Sequence, residues 1–348
     1  MPFVTRPAED GFFMPAEWAP HSRCWMEWPC RVETWGDRIE AAREAYAEVA
    51  KAIAQFEPVT MITKPKNVAE VSIALGSATR INTLSLPHDD SWMRDNGPTF
   101  VVDGRGQVAG VDWKWNAWGN KYPDHERDAA VAEAVLKHLE MRRYEAPFVL
   151  EGGAIHTDGE GTLLTTESVL LNPNRNGPVT RSEMEELLAA YLGIRKVIWL
   201  GEGLQGDDDT DGHVDNLACF ARPGVVLALT TNDPADGNYH VLQDNLARLR
   251  AATDAEGRSL EIVEIEQPRR QIHADGRRLP LSYINFYIAN GGIIMPVFED
   301  PQDSRAFDTL SRVFPDREIV QVPAVDIVHG GGGIHCITQQ QPAGTPAT

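Results

Sequence analysis

The sequence repeats an order of predicted secondary-structure elements, although no stretch of residues recurs literally. The first complete round begins with a hairpin at residues 99–115, which turns at Gly104 and Gly106. A polar amphipathic helix over 124–141 follows, and a short apolar strand over 146–153 closes the round. Hairpin, helix and strand then recur at intervals of roughly 60 residues, which indicates similar modules packed around or beside one another.

Three more rounds have the same three parts in the same order. Their hairpins, helices and strands are predicted at 154–171, 180–193 and 196–203, at 212–231, 239–257 and 260–268, and at 281–298, 304–314 and 318–325. A helix over 38–56 and a strand over 58–64 form an incomplete fifth round, whose hairpin we expect the C-terminal strand over 333–342 to complete. The pattern predicts an α/β protein of similar modules. An ordinary α/β sheet with irregular insertions is the alternative that the periodicity leaves open.

Charge and cysteine usage limit the classes of function. The formal net charge of −19 at pH 7 disfavours nucleic acid or an anionic membrane as the main partner, and it is compatible with a cationic substrate. Acids and prolines occupy the first residues, where a signal peptide needs an apolar run, and no apolar stretch reaches transmembrane length. Four scattered cysteines do not suggest a disulfide framework. We therefore expect a cytoplasmic protein that binds neither nucleic acid nor membranes.

Four polar clusters stand at predicted strand ends or turns. HDDSWMRDNGP occupies residues 88–98, and LEGGAIH places Glu151 at the end of an apolar strand. DDDTDGHVDN surrounds His213 with acids, and GGGGIHC places Cys336 behind a run of four glycines. Each alone has an ordinary explanation as a solvated acidic turn, a structural histidine or a buried inert cysteine. Together they supply a thiol, an imidazole and several carboxylates, which are the groups needed to act on a positively charged carbon.

Seven motifs occur in order over nearly the whole chain: WMEWP, SWMRDNGP, NAWG, EGGAIH, LLNPNRN, GHVDN and GGGGIHCITQQQP. Together they resemble the agmatine deiminase branch of the guanidine-modifying (pentein) superfamily. The resemblance implies a pentein fold, a five-module α/β propeller of ββαβ units, which agrees with the recurring elements. We expect one catalytic domain over residues 1–341, followed by a disordered tail over 342–348.

The resemblance also implies roles for individual residues. Cys336 matches the nucleophile, and His213 matches the general acid and base. Glu151 matches the carboxylate that orients this histidine, while Asp95 and Asp215 match the pair that holds the guanidinium. A reaction carried out by these groups needs neither a metal ion nor an organic cofactor.

Three further assignments concern the walls of the pocket. Trp92 matches an aromatic residue beside the substrate, and Asp209 stands where family members carry an acid near the far amine of the substrate. Trp118, in NAWG, is predicted to form a lid over the pocket. The chain departs from the family pattern at Gly333, where the motif usually has asparagine. We expect this departure to affect the choice of substrate more than the type of reaction.

A divalent metal site is the main alternative chemistry. Asp211, His213 and Asp215 form a D-x-H-x-D pattern, which suits a hard cation and resembles the manganese motif of arginase-type ureohydrolases. The second aspartate-rich motif of those enzymes, S-x-D-x-D, is missing from the sequence. The glycine run also lacks the G-K-[ST] ending of a phosphate-binding loop.

The predicted reaction is hydrolysis of agmatine to N-carbamoylputrescine and ammonia through an S-alkylthiouronium intermediate on Cys336. Peptidyl-arginine or another guanidine is the second candidate substrate, although bacterial enzymes of that branch are exported and no export signal is predicted here. A metal-dependent ureohydrolase, which releases urea, and a non-catalytic guanidine-binding protein of the same fold are the remaining alternatives. The sequence leaves the formation of a homo-oligomer open.

Overall fold

The computed structural model describes residues 5–348, and every element below belongs to that part of the chain. Its strands are β1 (Phe12–Phe13), β2 (His21–Glu27), β3 (Val59–Thr63), β4 (Ile81–Ser85), β5 (Thr99–Asp103), β6 (Gln107–Lys114), β7 (Arg143–Val149), β8 (His156–Thr157), β9 (Thr162–Thr166), β10 (Lys196–Leu200), β11 (Ala218–Arg222), β12 (Val225–Thr230), β13 (Glu261–Glu266), β14 (Tyr287–Ala289), β15 (Gly292–Val297), β16 (Glu318–Pro323), β17 (Thr338–Pro342) and β18 (Thr345–Pro346).

The same residues form α-helices of very different lengths. They are α1 (Val32–Trp35), α2 (Ile39–Ala54), α3 (Val68–Leu75), α4 (Met93–Asn96), α5 (Ala117–Asn120), α6 (Val131–His138), α7 (Glu167–Leu170), α8 (Pro173–Asn176), α9 (Arg181–Leu192), α10 (Tyr239–Ala251), α11 (Gln302–Val313) and α12 (Val325–Val328). Short 3-10 helices occur at Pro7–Asp10, Gly36–Arg38, Pro65–Asn67, Asp128–Ala130, Gly152–Ala154 and Val214–Asn216. Within residues 5–348, none of the helices combines the length and the apolar character that a membrane crossing requires.

Five sheets of the described chain share one strand arrangement. Each sheet contains a module of three strands, in which the first strand runs antiparallel to the second, a helix follows the second strand, and the third strand runs parallel to the second. Strands β1, β4 and β18 extend two of these sheets. The five modules are β5–β6–α6–β7, β8–β9–α9–β10, β11–β12–α10–β13, β14–β15–α11–β16 and β17–β2–α2–β3. The predicted ββαβ modules of an α/β propeller are therefore confirmed.

The fifth module is assembled from both ends of the chain. Strand β17 pairs antiparallel with β2, and Thr338 stands opposite Met26. The helix α2 and the parallel strand β3 complete the unit, as the sequence predicts. Cys336 lies just before β17, which is the first strand of this module. The cysteine therefore stands where the other modules have the segment before their first strand.

Local signals place the helices of the modules. The hydroxyl of Thr180 accepts a hydrogen bond from the backbone N–H of Glu183 at 3.3 Å, and the Glu183 carboxylate accepts one from the Thr180 backbone N–H at 2.8 Å. This capping box begins α9 at the predicted residue. Gly193 ends the helix with a φ of 69°, a conformation that costs glycine little. Met184 and Leu188 on the inner face are buried, which holds the helix against its sheet.

The C-terminal tail differs from its prediction as a disordered segment. Thr345 and Pro346 form β18, which pairs in parallel with Gln107 and Val108 of β6. Strand β7 begins to pair with β6 only at Gly110, so the tail occupies an edge that would otherwise leave backbone groups without partners. A tail rich in proline and small residues looks disordered by itself, and its order here comes from that edge.

Candidate active site

Each module contributes a side chain to one buried cluster, from the segment that precedes its first strand. The contributing residues are Asp95 before β5, Glu151 before β8, His213 and Asp215 before β11, Asn285 before β14, and Cys336 before β17. Equivalent segments of a ring of modules meet near its centre, which explains why residues so far apart in sequence are neighbours. The strand-end clusters predicted from the sequence are therefore brought together.

The thiol of Cys336 lies among carboxylates and amides. Its side chain is 3% exposed, and Sγ lies 3.4 Å from Asp215 Oδ2 and 3.2 Å from Asn285 Nδ2. Burial and the negative charges of Asp215 and Asp95 raise the pKa of the Cys336 thiol well above its usual value. The thiol is therefore protonated at neutral pH while no cation is bound beside it.

Gly153 shows how closely three predicted residues converge. A Cβ atom built on this glycine would lie 2.6 Å from His213 Nδ1, 2.9 Å from Asp95 Oδ1 and 3.0 Å from Asp215 Oδ2. A side chain cannot fit there, so the paired glycines of LEGGAIH are required by packing. The backbone N–H of Gly153 also donates to Asp95 Oδ1 at 2.9 Å, and Trp118 Nε1 donates to Asp95 Oδ2 at 2.9 Å.

The pKa values of Asp95 and Asp215 are shifted in opposite directions. Burial raises the pKa of Asp95, with a further contribution from the negative charge of Asp215. Burial acts in the same direction on Asp215, but hydrogen bonding and charge from His335 outweigh it, so the pKa of Asp215 is lowered. Asp215 is therefore the carboxylate that is more readily ionised in the empty site.

His213 is fully buried, and neither of its ring nitrogens has a hydrogen-bond partner. Nε2 lies 3.9 Å from Glu151 Oε2, and Nδ1 lies 3.8 Å from Asp95 Oδ2. Both distances exceed hydrogen-bond length, although catalytic hydrogen bonds are often long in empty sites. The hydrogen bond expected between Glu151 and His213 is therefore not formed at this distance, and the two side chains would have to move closer when a ligand binds.

Arg175 holds Glu151, a contact that no prediction anticipated. Arg175 Nε donates to Glu151 Oε1 at 2.6 Å, which leaves Oε2 of the carboxylate facing His213 without a partner. The same guanidinium pairs with Asp211, which also binds Lys121 Nζ at 2.7 Å. Because both oxygens of Asp211 are engaged by cations, the D-x-H-x-D pattern does not present one joint set of metal ligands.

No role was predicted for His335 from the sequence, although this residue stands in the GGGGIHC motif. Its Nδ1 lies 2.9 Å from Asp215 Oδ2, and its Nε2 lies 2.8 Å from Glu17 Oε1. Burial and the charge of Arg94 lower the pKa of His335, but the carboxylates of Glu17 and Asp215 outweigh them and the net pKa is raised. The two carboxylates thus favour the protonated form of His335, whose ring holds Asp215 Oδ2 and leaves Asp215 Oδ1 without a partner.

Aromatic side chains form one wall of the cluster. Trp92 stacks on Trp35 with ring centroids 5.6 Å apart, and Trp118 meets Trp92 edge to face at 6.4 Å. A Cβ atom on Gly332 would lie 2.5 Å from the Trp92 ring and 3.0 Å from Cys336 Cβ. The glycine run therefore passes between the wall and the thiol, where only backbone fits.

Asp209 lies on the far side of this glycine run. A Cβ atom on Gly331 would lie 2.7 Å from Asp209 Oδ2, and Tyr122 donates to Asp209 Oδ1 at 2.6 Å. The half-buried Asp209 and Tyr122 line a cavity of about 110 Å³ that Glu33 and Gly331 also border. Asp209 is thus separated from the thiol and suited to the opposite end of an extended ligand.

The chain is similar to known proteins over nearly its whole length. The model of the Porphyromonas-type peptidyl-arginine deiminase family matches residues 13–342. The agmatine deiminase of Stutzerimonas stutzeri is 48% identical in an alignment that covers 98% of each chain. The structure of the agmatine deiminase of Enterococcus faecalis superposes with a TM-score of 0.93 at 37% identity, covering 98% of both chains. A substrate-bound cysteine-to-serine variant of the C. jejuni agmatine deiminase has a TM-score of 0.88 at 28% identity, covering 96% of this chain and 97% of that one.

Five ββαβ modules around a buried thiol, an imidazole and carboxylates define a guanidine-modifying enzyme of the pentein fold. The chain belongs to the Porphyromonas-type peptidyl-arginine deiminase family. The family resemblance and the fold predicted from the seven motifs are confirmed. The roles of individual side chains, and the extent of a single catalytic domain, stay predictions.

Proposed function

We propose that the protein hydrolyses agmatine to N-carbamoylputrescine and ammonia through a covalent intermediate on Cys336. One observation carries the proposal: buried polar atoms without partners surround a buried thiol. They are Glu151 Oε2, Asp215 Oδ1 and both ring nitrogens of His213. Buried polar groups are nearly always hydrogen-bonded, and the convergence of two carboxylates and an imidazole with unpaired atoms beside one thiol suits a ligand that is rich in N–H donors.

A guanidinium group matches what these atoms lack. It is planar, positively charged and rich in N–H donors, and it offers paired hydrogen bonds to carboxylates. We assign the binding of this group to Asp95 and Asp215, because Asp95 Oδ1 and Asp215 Oδ2 converge within 3.0 Å of one point beside Gly153 and Asp215 Oδ2 lies 3.4 Å from Cys336 Sγ. Its charge also offsets carboxylates whose burial is otherwise unfavourable.

The reaction then follows from the positions of the groups. Cys336 gives its thiol proton to His213, and Sγ attacks the guanidinium carbon to form a tetrahedral adduct. His213 then gives that proton to one nitrogen, and the C–N bond breaks to release ammonia. An S-alkylthiouronium remains on the sulfur. A water molecule adds to the thiouronium carbon and gives one proton to His213. The C–S bond then breaks with its electron pair on sulfur, the remaining hydroxyl proton passes to solvent, and N-carbamoylputrescine leaves. Arg175 and Glu151 keep His213 oriented through both steps.

The names of the relatives and the position of Asp209 support agmatine as the substrate. The relatives with high coverage and identity are agmatine deiminases, whose substrate carries an amine at the end opposite the guanidinium. Asp209, across the glycine run from the thiol, offers a carboxylate for that amine. Peptidyl-arginine, the substrate in the family name, has no such amine and is the second candidate.

The function is tested by product analysis of the purified protein with agmatine. We expect ammonia and N-carbamoylputrescine in equal amounts. Release of urea and putrescine would instead support a ureohydrolase, and citrulline formation in an arginine peptide at a higher rate than agmatine turnover would support the second candidate.

Replacing Asp209 separates the far end of the substrate from its reacting end. Asp209→Ala should raise KM for agmatine roughly 10- to 100-fold, because it removes a carboxylate from the amine. KM for butylguanidine, which lacks the amine, should change little. The exposed neighbour Asp208 provides a control of equal charge, and Asp208→Ala should leave both KM values near the wild-type values. Equal losses on both substrates in Asp209→Ala would contradict this role.

A bound guanidinium should lower the pKa of the Cys336 thiol. The pKa is raised in the empty site by burial and by Asp215 and Asp95, and a cation between them reverses the electrostatic part. Ultraviolet absorbance of the thiolate, with a Cys336→Ser sample subtracted, measures the titration without requiring access to the sulfur. We expect the midpoint to move to lower pH when a non-reacting guanidinium analogue binds. An unchanged midpoint at saturating analogue would contradict this electrostatic account.

A cytoplasmic location agrees with the proposed chemistry. Cys24, Cys30, Cys219 and Cys336 are all free, and a nucleophilic thiol is best preserved in a reducing compartment.

A further inference from the structure

Asn285 is the side chain that the fourth module contributes to the cluster around Cys336. It stands in the segment before β14 and belongs to none of the seven family motifs. The residue is 2% exposed, and its Nδ2 lies 3.2 Å from Cys336 Sγ, whereas its Oδ1 lies 3.5 Å from the same sulfur. The amide therefore touches the atom on which the proposed reaction depends.

Neighbouring hydrogen bonds determine which end of the amide faces the sulfur. The backbone N–H of His335 can only donate, and it lies 2.9 Å from Asn285 Oδ1. On the other side, Asn216 uses its own Nδ2 to donate to Asp207 at 3.3 Å, so it presents Oδ1 to Asn285 Nδ2 at 3.0 Å. Asn285 Nδ2 has three acceptors within reach, Asn216 Oδ1 at 3.0 Å, Cys336 Sγ at 3.2 Å and the backbone oxygen of Asp215 at 3.5 Å. We assign its two hydrogens to the two nearer acceptors, Asn216 Oδ1 and Cys336 Sγ.

Gly333 leaves the space that this amide occupies. A Cβ atom built on Gly333 would lie 2.3 Å from Asn285 Oδ1 and 2.7 Å from its Cγ. Gly333 does not have a positive φ, so the requirement for glycine comes from contact and not from backbone conformation. The departure from the family motif therefore has a physical consequence: residues 333 and 285 fit together beside the thiol.

We propose that Asn285 is a further catalytic residue, whose Nδ2–H holds Cys336 Sγ in place and stabilises its thiolate, and that Gly333 is required to admit this amide. The proposal rests on the covalent reaction proposed above. A hydrogen bond to the charged form of a group favours that form, so the amide opposes the surrounding carboxylates. The same N–H would donate a hydrogen bond to the sulfur when it leaves as thiolate in the hydrolysis step.

Two substitutions distinguish the N–H donor from the rest of the side chain. Asn285→Asp keeps the size and the acceptor for His335 N–H but replaces the donor to sulfur with a carboxylate oxygen and adds a negative charge. Asn285→Ala loses both donor and acceptor and adds no charge. We expect kcat to fall about 10- to 100-fold in both variants, as for loss of a hydrogen bond to a charged group. Below the thiol pKa, the rate of Cys336 alkylation should fall roughly tenfold for each unit by which that pKa rises. Peptide mass spectrometry assigns the label to Cys336.

Asn290 provides the control in the same hairpin. Its side chain makes two hydrogen bonds to the backbone of His21, each 2.9 Å long, and it does not contact the thiol. Asn290→Ala should leave the alkylation pH profile of Cys336 unchanged. An Asn285→Asp variant with wild-type kcat and a wild-type alkylation profile would overturn the proposal.

Gly333→Ala tests whether the two residues act as a pair. Its methyl group should displace the amide and reproduce the losses of Asn285→Ala. The double variant Gly333→Ala, Asn285→Ala removes the two atoms nearest to the new methyl, Asn285 Oδ1 and Cγ, and keeps Asn285 Cβ at 3.1 Å, so the second substitution should add little. Losses that multiply instead would show independent effects and would overturn the pairing. Alkylation needs no substrate, so it tests Asn285 even if agmatine turnover, and with it the proposed function, fails.

Discussion

Cys336→Ser should bind agmatine and release no measurable ammonia, with kcat reduced by roughly 10⁴-fold or more. A hydroxyl has a much higher pKa than a thiol and is a weaker nucleophile when it remains protonated. The carboxylates that would hold the guanidinium are unchanged in this variant, so agmatine binding should persist. Rapid-quench assay of ammonia measures turnover, and calorimetry measures binding.

Cys30→Ser is the matched control for this prediction. Cys30 is half-buried, and its thiol donates to the backbone oxygen of Asp89 at 3.2 Å, a bond that serine can make as well. The control should turn over agmatine at close to the wild-type rate. Activity retained in Cys336→Ser would exclude covalent catalysis at this position.

His213→Gln should lower kcat between roughly 10² and 10⁴-fold while changing KM little. Glutamine approximates the size and polarity of the imidazole, but it can neither give a proton to departing ammonia nor take one from water. The loss should therefore affect the formation and the hydrolysis of the intermediate alike. Steady-state and single-turnover kinetics separate the two steps.

His88→Gln controls for the loss of a buried histidine. His88 is as fully buried as His213, but its ring nitrogens lie 3.1 Å from the backbone oxygens of Leu86 and Trp28. Its replacement could cost stability without a change in kcat for the folded protein. A kcat for His213→Gln no lower than that for His88→Gln would remove His213 from the proposed chemistry.

The modular fold could be predicted because its signals are local. Thr180 and Gly193 bound α9 through capping alone, and the order of hairpin, helix and strand recurs in residues that are neighbours in sequence. The ordered tail could not be predicted, because the partner of Thr345 and Pro346 is an edge of β6 that exists only in the folded sheet.

Some residues of the candidate site could be predicted from the sequence, and others could not. Cys336, His213, Glu151, Asp95 and Asp215 stand in motifs, and the folded chain brings them together. Glu17 supports the site from 318 residues before His335, in a stretch without any distinguishing pattern.

Asn285 could have been found from the repeat itself. Four of the five modules supply a predicted site residue from the segment before their first strand. None of the seven motifs supplies one in the remaining module, β14–β15–α11–β16. The equivalent segment before β14 contains Asn285, and extending the repeat to side chains would have predicted it.

Mass spectrometry of a quenched reaction tests the central claim most directly. After rapid mixing with agmatine and acid quenching, the peptide that contains Cys336 should gain the mass of agmatine less that of ammonia, while peptides with Cys24, Cys30 and Cys219 remain unmodified. The adduct should appear before steady state and disappear as agmatine is exhausted. Full turnover with no adduct on Cys336 at any quench time, including in slowed His213→Gln, would contradict the account.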